Sequence, residues 1–122
     1  MALSLLSVAA AFAQAVIKFD KNVYDFGTFT KSQRPTVEAV FTNEGNKPLA
    51  INQVLTSCGC TAAQFTKDPV NPDEKGKITL VFDGKKGGFT NQEFRKKVTV
   101  ISTASNRYVT FVVKGFMTDG KK

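Results

Sequence analysis

The sequence contains no histidine and no tryptophan, and its 122 residues include only two cysteines and two methionines. Without histidine, the chain cannot form a Ser-His or Cys-His pair, and it lacks the side chain that most often serves as a general base. The carboxylates around the proline-rich turn at 71–76 are of the kind that solvates a loop, and no calcium loop or phosphate-binding glycine motif is present. We therefore predict that the protein is not an enzyme and uses no cofactor.

Charge is absent from the start of the chain. The first fifteen residues, MALSLLSVAAAFAQA, end in Ala11-Phe12-Ala13 and Ala13-Gln14-Ala15, two small-x-small tripeptides that signal peptidase accepts. The apolar run is too short for an ordinary membrane-spanning helix. No Lys or Arg precedes Lys18, so either the start of the chain has been assigned too late or the signal is an atypical one. We predict a cleaved signal peptide at 1–15, export to the periplasm or the cell exterior, and no transmembrane span after cleavage.

Positive charge is in excess, with a net charge of +7 and clusters at 85–86 and 95–97. In an exported protein, this charge favours envelope polymers, anionic lipids or acidic partners rather than nucleic acid. The basic residues alternate with apolar ones along strand-like runs, so a solubilising face is the simpler interpretation. A weak association with anionic surfaces is the alternative.

Hydrophobic periodicity gives the fold. Short runs rich in β-branched and aromatic residues lie at 37–41, 77–82, 97–101 and 108–113, and in the second and third the apolar residues alternate with Lys and Thr. Turn-forming residues separate the runs, and no amphipathic helical window exceeds about two turns. About seven strands without helical crossovers predict one all-β domain at 16–122, an immunoglobulin-like antiparallel β-sandwich.

Both cysteines lie in Thr56-Ser-Cys-Gly-Cys-Thr61, directly after a strand-like run. Residues two apart in an extended strand have Cα atoms roughly 6.5 to 7 Å apart, which is the outer limit for a disulfide. Gly59 relaxes this limit, because glycine can adopt a positive φ that lets the sulfurs of Cys58 and Cys60 approach, so a strained disulfide is possible. Ser57, Gly59 and Thr61 are expected to support the pair.

Three interpretations of Cys58 and Cys60 stay open. The pair can be a structural corner, a redox couple, or two ligands of a soft metal such as Cu(I). A redox couple requires a nearby cation, and no basic residue adjoins the pair in sequence, so Lys47 or Lys67 would have to approach through the fold. A complete metal site within the chain is not expected, because histidine is absent and Met117 is the only methionine after the signal segment.

Several motifs follow one another in a distinctive order. They are Tyr24-Asp-Phe-Gly-Thr28, the segment 41–51, Thr56-Ser-Cys-Gly-Cys-Thr61, and the turn at 71–76 that precedes the strand-like run 77–83. Together they resemble DUF1573, a family of exported bacterial proteins common in Bacteroidetes-type genomes and similar to immunoglobulin-like modules of ciliary and centrosomal proteins. The resemblance implies an immunoglobulin-like sandwich and no particular reaction. One departure is that the family's Pro-Gly-Glu turn reads Pro72-Asp73-Glu74 here.

The glycines of these motifs have expected structural roles. Gly27 is expected to allow a bulge after Phe26, so that this aromatic side chain anchors the first strand in the core. Gly45 and Asn46 are expected at left-handed positions of a hairpin, and Pro48 at the start of the next strand. These roles determine the fold and carry no catalytic signature.

Two functional hypotheses result. The first is a non-catalytic structural or binding module of the bacterial envelope that contacts another envelope protein or a glycan, through an edge strand or through the loops at one end. The second is a thiol-based redox or soft-metal-binding protein that acts through Cys58 and Cys60.

Overall fold

A computed structural model describes residues 13–87 and 91–119. Most of the predicted signal peptide lies outside these residues, so its cleavage stays a prediction. The described chain folds into eight strands and one helical turn: β1 Ile17–Phe19, β2 Val23–Thr30, β3 Thr36–Asn43, β4 Ile51–Thr56, β5 Thr61–Phe65, β6 Lys75–Phe82, a turn of helix at Gly84–Gly87, β7 Gln92–Ser102 and β8 Tyr108–Thr118. The all-β prediction is confirmed, and the four runs found by periodicity lie in β3, β6, β7 and β8.

The strands form two four-stranded sheets, with orders β1-β3-β6-β5 and β2-β8-β7-β4. Every pair is antiparallel except β2 with β8, which is parallel. The expectation of a wholly antiparallel sandwich is therefore wrong at this pair. The reason is that only residues 20–22 separate β1 from β2. The chain changes sheets there without reversing its direction, and β2 meets β8 running the same way.

The core between the sheets is largely aromatic. The alternation predicted for β6 is confirmed, because Ile78, Leu80 and Phe82 are all fully buried. The rings of Phe82 and Phe94 stack with centroids 4.4 Å apart. Phe26 is also buried, and Gly27 follows it with a φ of 81° at a shift in the β2–β8 register. The predicted anchor and bulge are thus both confirmed.

The turn predictions need one correction. Among the described residues, a positive φ occurs only at Gly27, Asp73 and Asn91, so the left-handed conformations expected for Gly45 and Asn46 are wrong. Gly45 is small for another reason: a Cβ atom there would lie 2.7 Å from the Cα atom of Ala15. The left-handed residue is instead Asp73, with a φ of 67°, at the position where the family pattern has glycine. Aspartate is one of the few residues that tolerates this conformation.

Candidate functional site

The two cysteines lie in the connection between β4 and β5, which carries the chain from the edge of one sheet to the edge of the other. The sulfurs of Cys58 and Cys60 are joined in a disulfide, and their Cα atoms are 5.1 Å apart. This separation lies within the usual range for a disulfide. Gly59 does not use the positive φ that was open to it, because a tight turn shortens the distance instead. In this turn, the Thr61 amide donates a hydrogen bond to the Cys58 carbonyl at 3.2 Å.

Hydrogen bonds hold this corner in place on both sides of the disulfide. The Thr56 hydroxyl lies 3.1 Å from the carbonyl oxygen of Cys58 and 3.3 Å from that of Thr61. Ser57 binds β7 through its amide, which donates to the Lys97 carbonyl, and through its hydroxyl, which accepts from the Lys97 amide; both distances are 3.1 Å. Ser57 and Thr61 both form hydrogen bonds in this corner. The bridging role of Thr56 was missed, although Thr56 is the first residue of the motif.

The two sulfur-bearing residues differ in exposure. Cys60 is buried, with 2% of its surface exposed, whereas Cys58 is only half-buried. The Cys60 amide donates a hydrogen bond to Cys58 Sγ at 3.2 Å, and Cys60 Sγ lies 3.9 Å from the Thr61 hydroxyl. An incoming group therefore reaches the disulfide from the side of Cys58.

A depression of about 220 Å³ opens beside Cys60, and cations from distant parts of the sequence line it. Arg34 and Lys86 both line it, together with Asp83, which forms an ion pair with Arg34 at 3.5 Å. The two lysines that the sequence suggested lie elsewhere: Lys47 lines a different depression, and Lys67 stands over the Phe65 ring. Sequence proximity could not reveal Arg34 or Lys86.

The metal interpretation gains no support from the surroundings of the pair. Within residues 13–87 and 91–119, no group of three His, Cys, Asp or Glu side chains is placed to hold a metal ion. The sulfurs of Cys58 and Cys60 are also bonded to each other in the disulfide. A metal ligand set would need reduction of this bond and further ligands from another molecule.

The strand that follows the corner, β5, is the outermost strand of its sheet. The Thr66 amide donates to the Lys77 carbonyl at 3.1 Å, and the Asp83 amide donates to the Cys60 carbonyl at 2.8 Å. Even-numbered residues of this segment therefore bond to β6. Because hydrogen bonding alternates along an antiparallel ladder, Ala63 and Phe65 direct their N–H and C=O groups away from β6, toward the open edge.

Half-buried apolar side chains lie on the two edge strands and on the corner that joins them. Val54 of β4, Cys58 of the corner, and Ala63 and Phe65 of β5 are half-buried and pack against the core. We call these four residues the open seam. The flanking strands read INQVLT and TAAQF, without a charged residue or a proline. Such features ordinarily protect a sheet edge, so this side of the sandwich is unprotected.

The basic clusters are spread around the molecule rather than gathered in one site. Lys85 and Lys86 lie in the helical turn after β6, whereas residues 95–97 lie in β7. Arg95 faces Glu93 at 3.9 Å. No helix among the described residues is long and apolar enough to cross a membrane.

Many solved structures share the fold, and three of them illustrate the likeness. A protein of unknown function from Porphyromonas gingivalis W83 gives a TM-score of 0.73 at 18% identity, covering 85% of this chain and 48% of that one. The ASH / PapD-like domain of human CEP192 gives 0.71 at 7% identity, covering 89% of each chain. The periplasmic chaperone SfaE gives 0.59 at 10% identity, covering 87% of this chain and 59% of that one. This chain thus spans about half of the Porphyromonas protein.

These likenesses establish an immunoglobulin-like, PapD-like sandwich and say nothing further about activity. Among curated proteins, none is detectably similar in sequence to this chain. Residues 17–117 match the family DUF1573, described as a protein of unknown function. The match runs from the first residue of β1 almost to the end of β8 and includes the cysteine corner. On this match, the chain belongs to the DUF1573 family.

Proposed function

We propose that this protein is a non-catalytic binding module of the bacterial envelope that captures an extended segment of another envelope protein by strand addition along β5. The observation that carries the proposal is the unprotected edge of β5 beside the open seam. Strand addition uses the backbone groups of an edge for affinity and adjacent pockets for specificity, and β5 borders both.

The backbone contribution alone would be modest. Ala63 and Phe65 offer two N–H and two C=O groups to an incoming strand. A hydrogen bond contributes about 0.5 to 1.5 kcal/mol net, so these four groups would contribute roughly 2 to 6 kcal/mol before the cost of association. The partner therefore needs apolar side chains at alternate positions that enter the open seam.

Charge adds a second requirement for the partner. Lys67 lies just beyond the end of β5, and Lys86 lies near its start beside Cys60. Acidic residues flanking the apolar core of the segment would complement both ends of the strand. A glycan would not pair with the free backbone groups of β5 as a strand does. A variant that removes one of these groups therefore distinguishes strand addition from the glycan alternative.

The envelope location is supported by two independent features. The uncharged start of the sequence fits a secretory signal, and the fold is shared with the periplasmic chaperone SfaE. The likeness to that chaperone is one of fold, so its own partners are not carried over.

The proposal is tested with peptides selected from a random library displayed on phage, using the folded protein as bait. Ala63→Pro removes an N–H group that faces the open edge and leaves the bonds between β5 and β6 in place. We expect it to abolish binding of the selected peptides. Ala63→Ser is the matched control, because it changes the same side chain and keeps the N–H group. Thermal melting confirms that both variants are folded.

The outcome shows whether the backbone of β5 is used. Loss of binding in Ala63→Pro with retention in Ala63→Ser supports β5 as the docking edge. Equal loss in both variants would count against strand addition, because Ala63→Ser keeps the N–H group. Retention in both variants, or selection only of peptides that lack alternating apolar residues, would overturn strand addition.

A further inference from the structure

We infer that the Cys58–Cys60 disulfide is an exchange site, and that it captures a cysteine thiolate of an extended protein segment as a mixed disulfide. The substrate class, a cysteine-bearing segment lying on β5, rests on the proposed function. The exchange chemistry rests on the corner itself and is tested separately.

Hydrogen bonds that do not involve the sulfurs also hold the corner. Thr56 bridges the carbonyls of Cys58 and Thr61, Ser57 binds β7, and the Asp83 amide binds the Cys60 carbonyl. The disulfide joins residues only two apart in sequence, so it restricts the unfolded chain very little. A bond that contributes little to folding can open without loss of the fold, as a reversible exchange site requires.

The difference in exposure defines the direction of attack. Cys58 is half-buried and belongs to the open seam, whereas Cys60 is almost fully enclosed. The thiolate of the incoming segment attacks Cys58 Sγ and forms the new sulfur–sulfur bond. The bond between Cys58 and Cys60 breaks, and its electron pair leaves on Cys60 Sγ as a thiolate. No net oxidant is needed, because the incoming thiolate is oxidised while Cys60 is reduced.

The surroundings of Cys60 suit a leaving thiolate. The depression beside it is lined by Arg34 and Lys86, and positive charge near a sulfur favours the thiolate form. Asp83 offsets Arg34 through their ion pair, which makes Lys86 the more effective cation. A thiolate held at Cys60 can later attack Cys58 Sγ, release the segment and restore the original disulfide, so the capture is reversible.

The topology places this chemistry at the end of the proposed binding edge. The disulfide lies directly before Thr61, the first residue of β5. A segment added along β5 would therefore run from Phe65 toward the corner, and a cysteine near one end of it would meet Cys58. Strand addition would position the thiolate, and exchange would make the capture covalent.

The first experiment measures the two sulfurs separately in the folded chain, with glutathione disulfide as the probe. In Cys60→Ser, the free Cys58 should form a mixed disulfide at least about tenfold faster than the free Cys60 does in Cys58→Ser, because accessibility controls the rate. Mass spectrometry reports the adduct, and melting curves confirm folding. Equal rates, or faster reaction at Cys60, would overturn the inference.

The second experiment tests the role of the cation in the wild-type disulfide. Lys86→Gln should slow reduction of the folded protein by millimolar reduced glutathione by about threefold to tenfold at neutral pH. Lys85→Gln is the matched control, since Lys85 adjoins Lys86 but does not line the depression. If the disulfide is reduced only when the protein unfolds, it is purely structural and the exchange site is refuted.

The last arm separates the two proposals. A peptide selected on β5, with one cysteine added at the end nearest Cys58, should form a mixed disulfide with wild type and not with Ala63→Pro. Both proteins should still react with glutathione. If glutathione reacts and the peptide does not, strand addition fails while the exchange site stands. If neither reacts although the peptide binds, the exchange site fails and the binding module stands.

Discussion

Each side of the sandwich presents one edge strand from each of the two sheets, and the two sides differ in how these edges are protected against pairing. On the closed side, formed by β1 and β2, the edge strand β1 is only three residues long and carries Lys18. The other edge strand of this side, β2, has a bulge at Gly27. Asp25 of β2 faces Lys114 at 3.9 Å. Short length, bulges and charge all discourage pairing with another chain.

The open side, formed by β4, β5 and the cysteine corner, has fewer of these protections. Neither strand carries a charge or a proline, although β4 has one register shift near Asn52. Only β5 is both regular and unprotected. An unprotected edge is unexpected in a protein with so many charged residues. We therefore assign the proposed binding function to β5.

The closed side is also held by a buried side-chain amide at the end of β3, the strand that pairs with β1. Asn43 is fully buried, and its side-chain amide donates to the carbonyls of Lys47 at 2.6 Å and Val70 at 3.0 Å. Its side-chain oxygen accepts from the amides of Gly45 and Val16. Stability is therefore expected to be concentrated on the closed side.

Replacing this amide should produce the largest effect. Asn43→Ala leaves several buried backbone groups without their partner, and we expect it to lower the free energy of unfolding by about 3 to 5 kcal/mol. Urea denaturation followed by circular dichroism provides the measurement. Asn52→Ala, an exposed asparagine of the open side, should change stability by less than about 0.5 kcal/mol. Similar losses in both variants would contradict the comparison between the sides.

Removing the Thr56 hydroxyl should have a smaller effect. Thr56→Val keeps the shape of the side chain but removes the group that bridges the two carbonyls of the corner, so we expect a loss of about 1 to 2 kcal/mol. Thr110→Val, on an exposed position of β8, is the control and should be close to neutral. A loss at Thr56 as large as that at Asn43 would mean that the open side is fastened as firmly as the closed one.

The sequence was sufficient for features that depend on local pattern. The alternation of Ile78, Leu80 and Phe82 identified the buried face of β6. Gly27 marked the bulge of β2, because few other residues adopt a positive φ. These properties follow from residues that are neighbours along the chain.

Features that depend on long-range pairing could not be predicted in this way. That β5 is an edge strand follows from the order of strands in the sheet, which no local pattern encodes. Arg34 and Lys86 meet beside Cys60 only after β3, β5 and β6 have paired. Likewise, the parallel pairing of β2 with β8 depends on how the chain changes sheets after β1.

The smallest expected effect concerns pH and the closed side. Burial raises the pKa of Tyr24 above its ordinary value of 10.0, and its hydrogen bond to Asp20 and the charge of that carboxylate act in the same direction. The folded protein therefore favours the neutral phenol. Its contribution to stability is complete below a pH of about 10 and is lost as the pH rises toward the folded-state pKa.

Tyr24→Phe removes this titration while keeping the ring. Between about pH 9 and about pH 11, wild type should lose about 1 kcal/mol more of its unfolding free energy than the variant does, because only wild type contains this phenol. Urea denaturation at each pH gives the difference, and the lysines contribute equally to both proteins. Parallel curves would show that Tyr24 ionises as readily in the folded protein as in the unfolded chain. In that case, alkaline pH would not destabilise the closed side, and the greater stability expected of that side would depend on Asn43 alone.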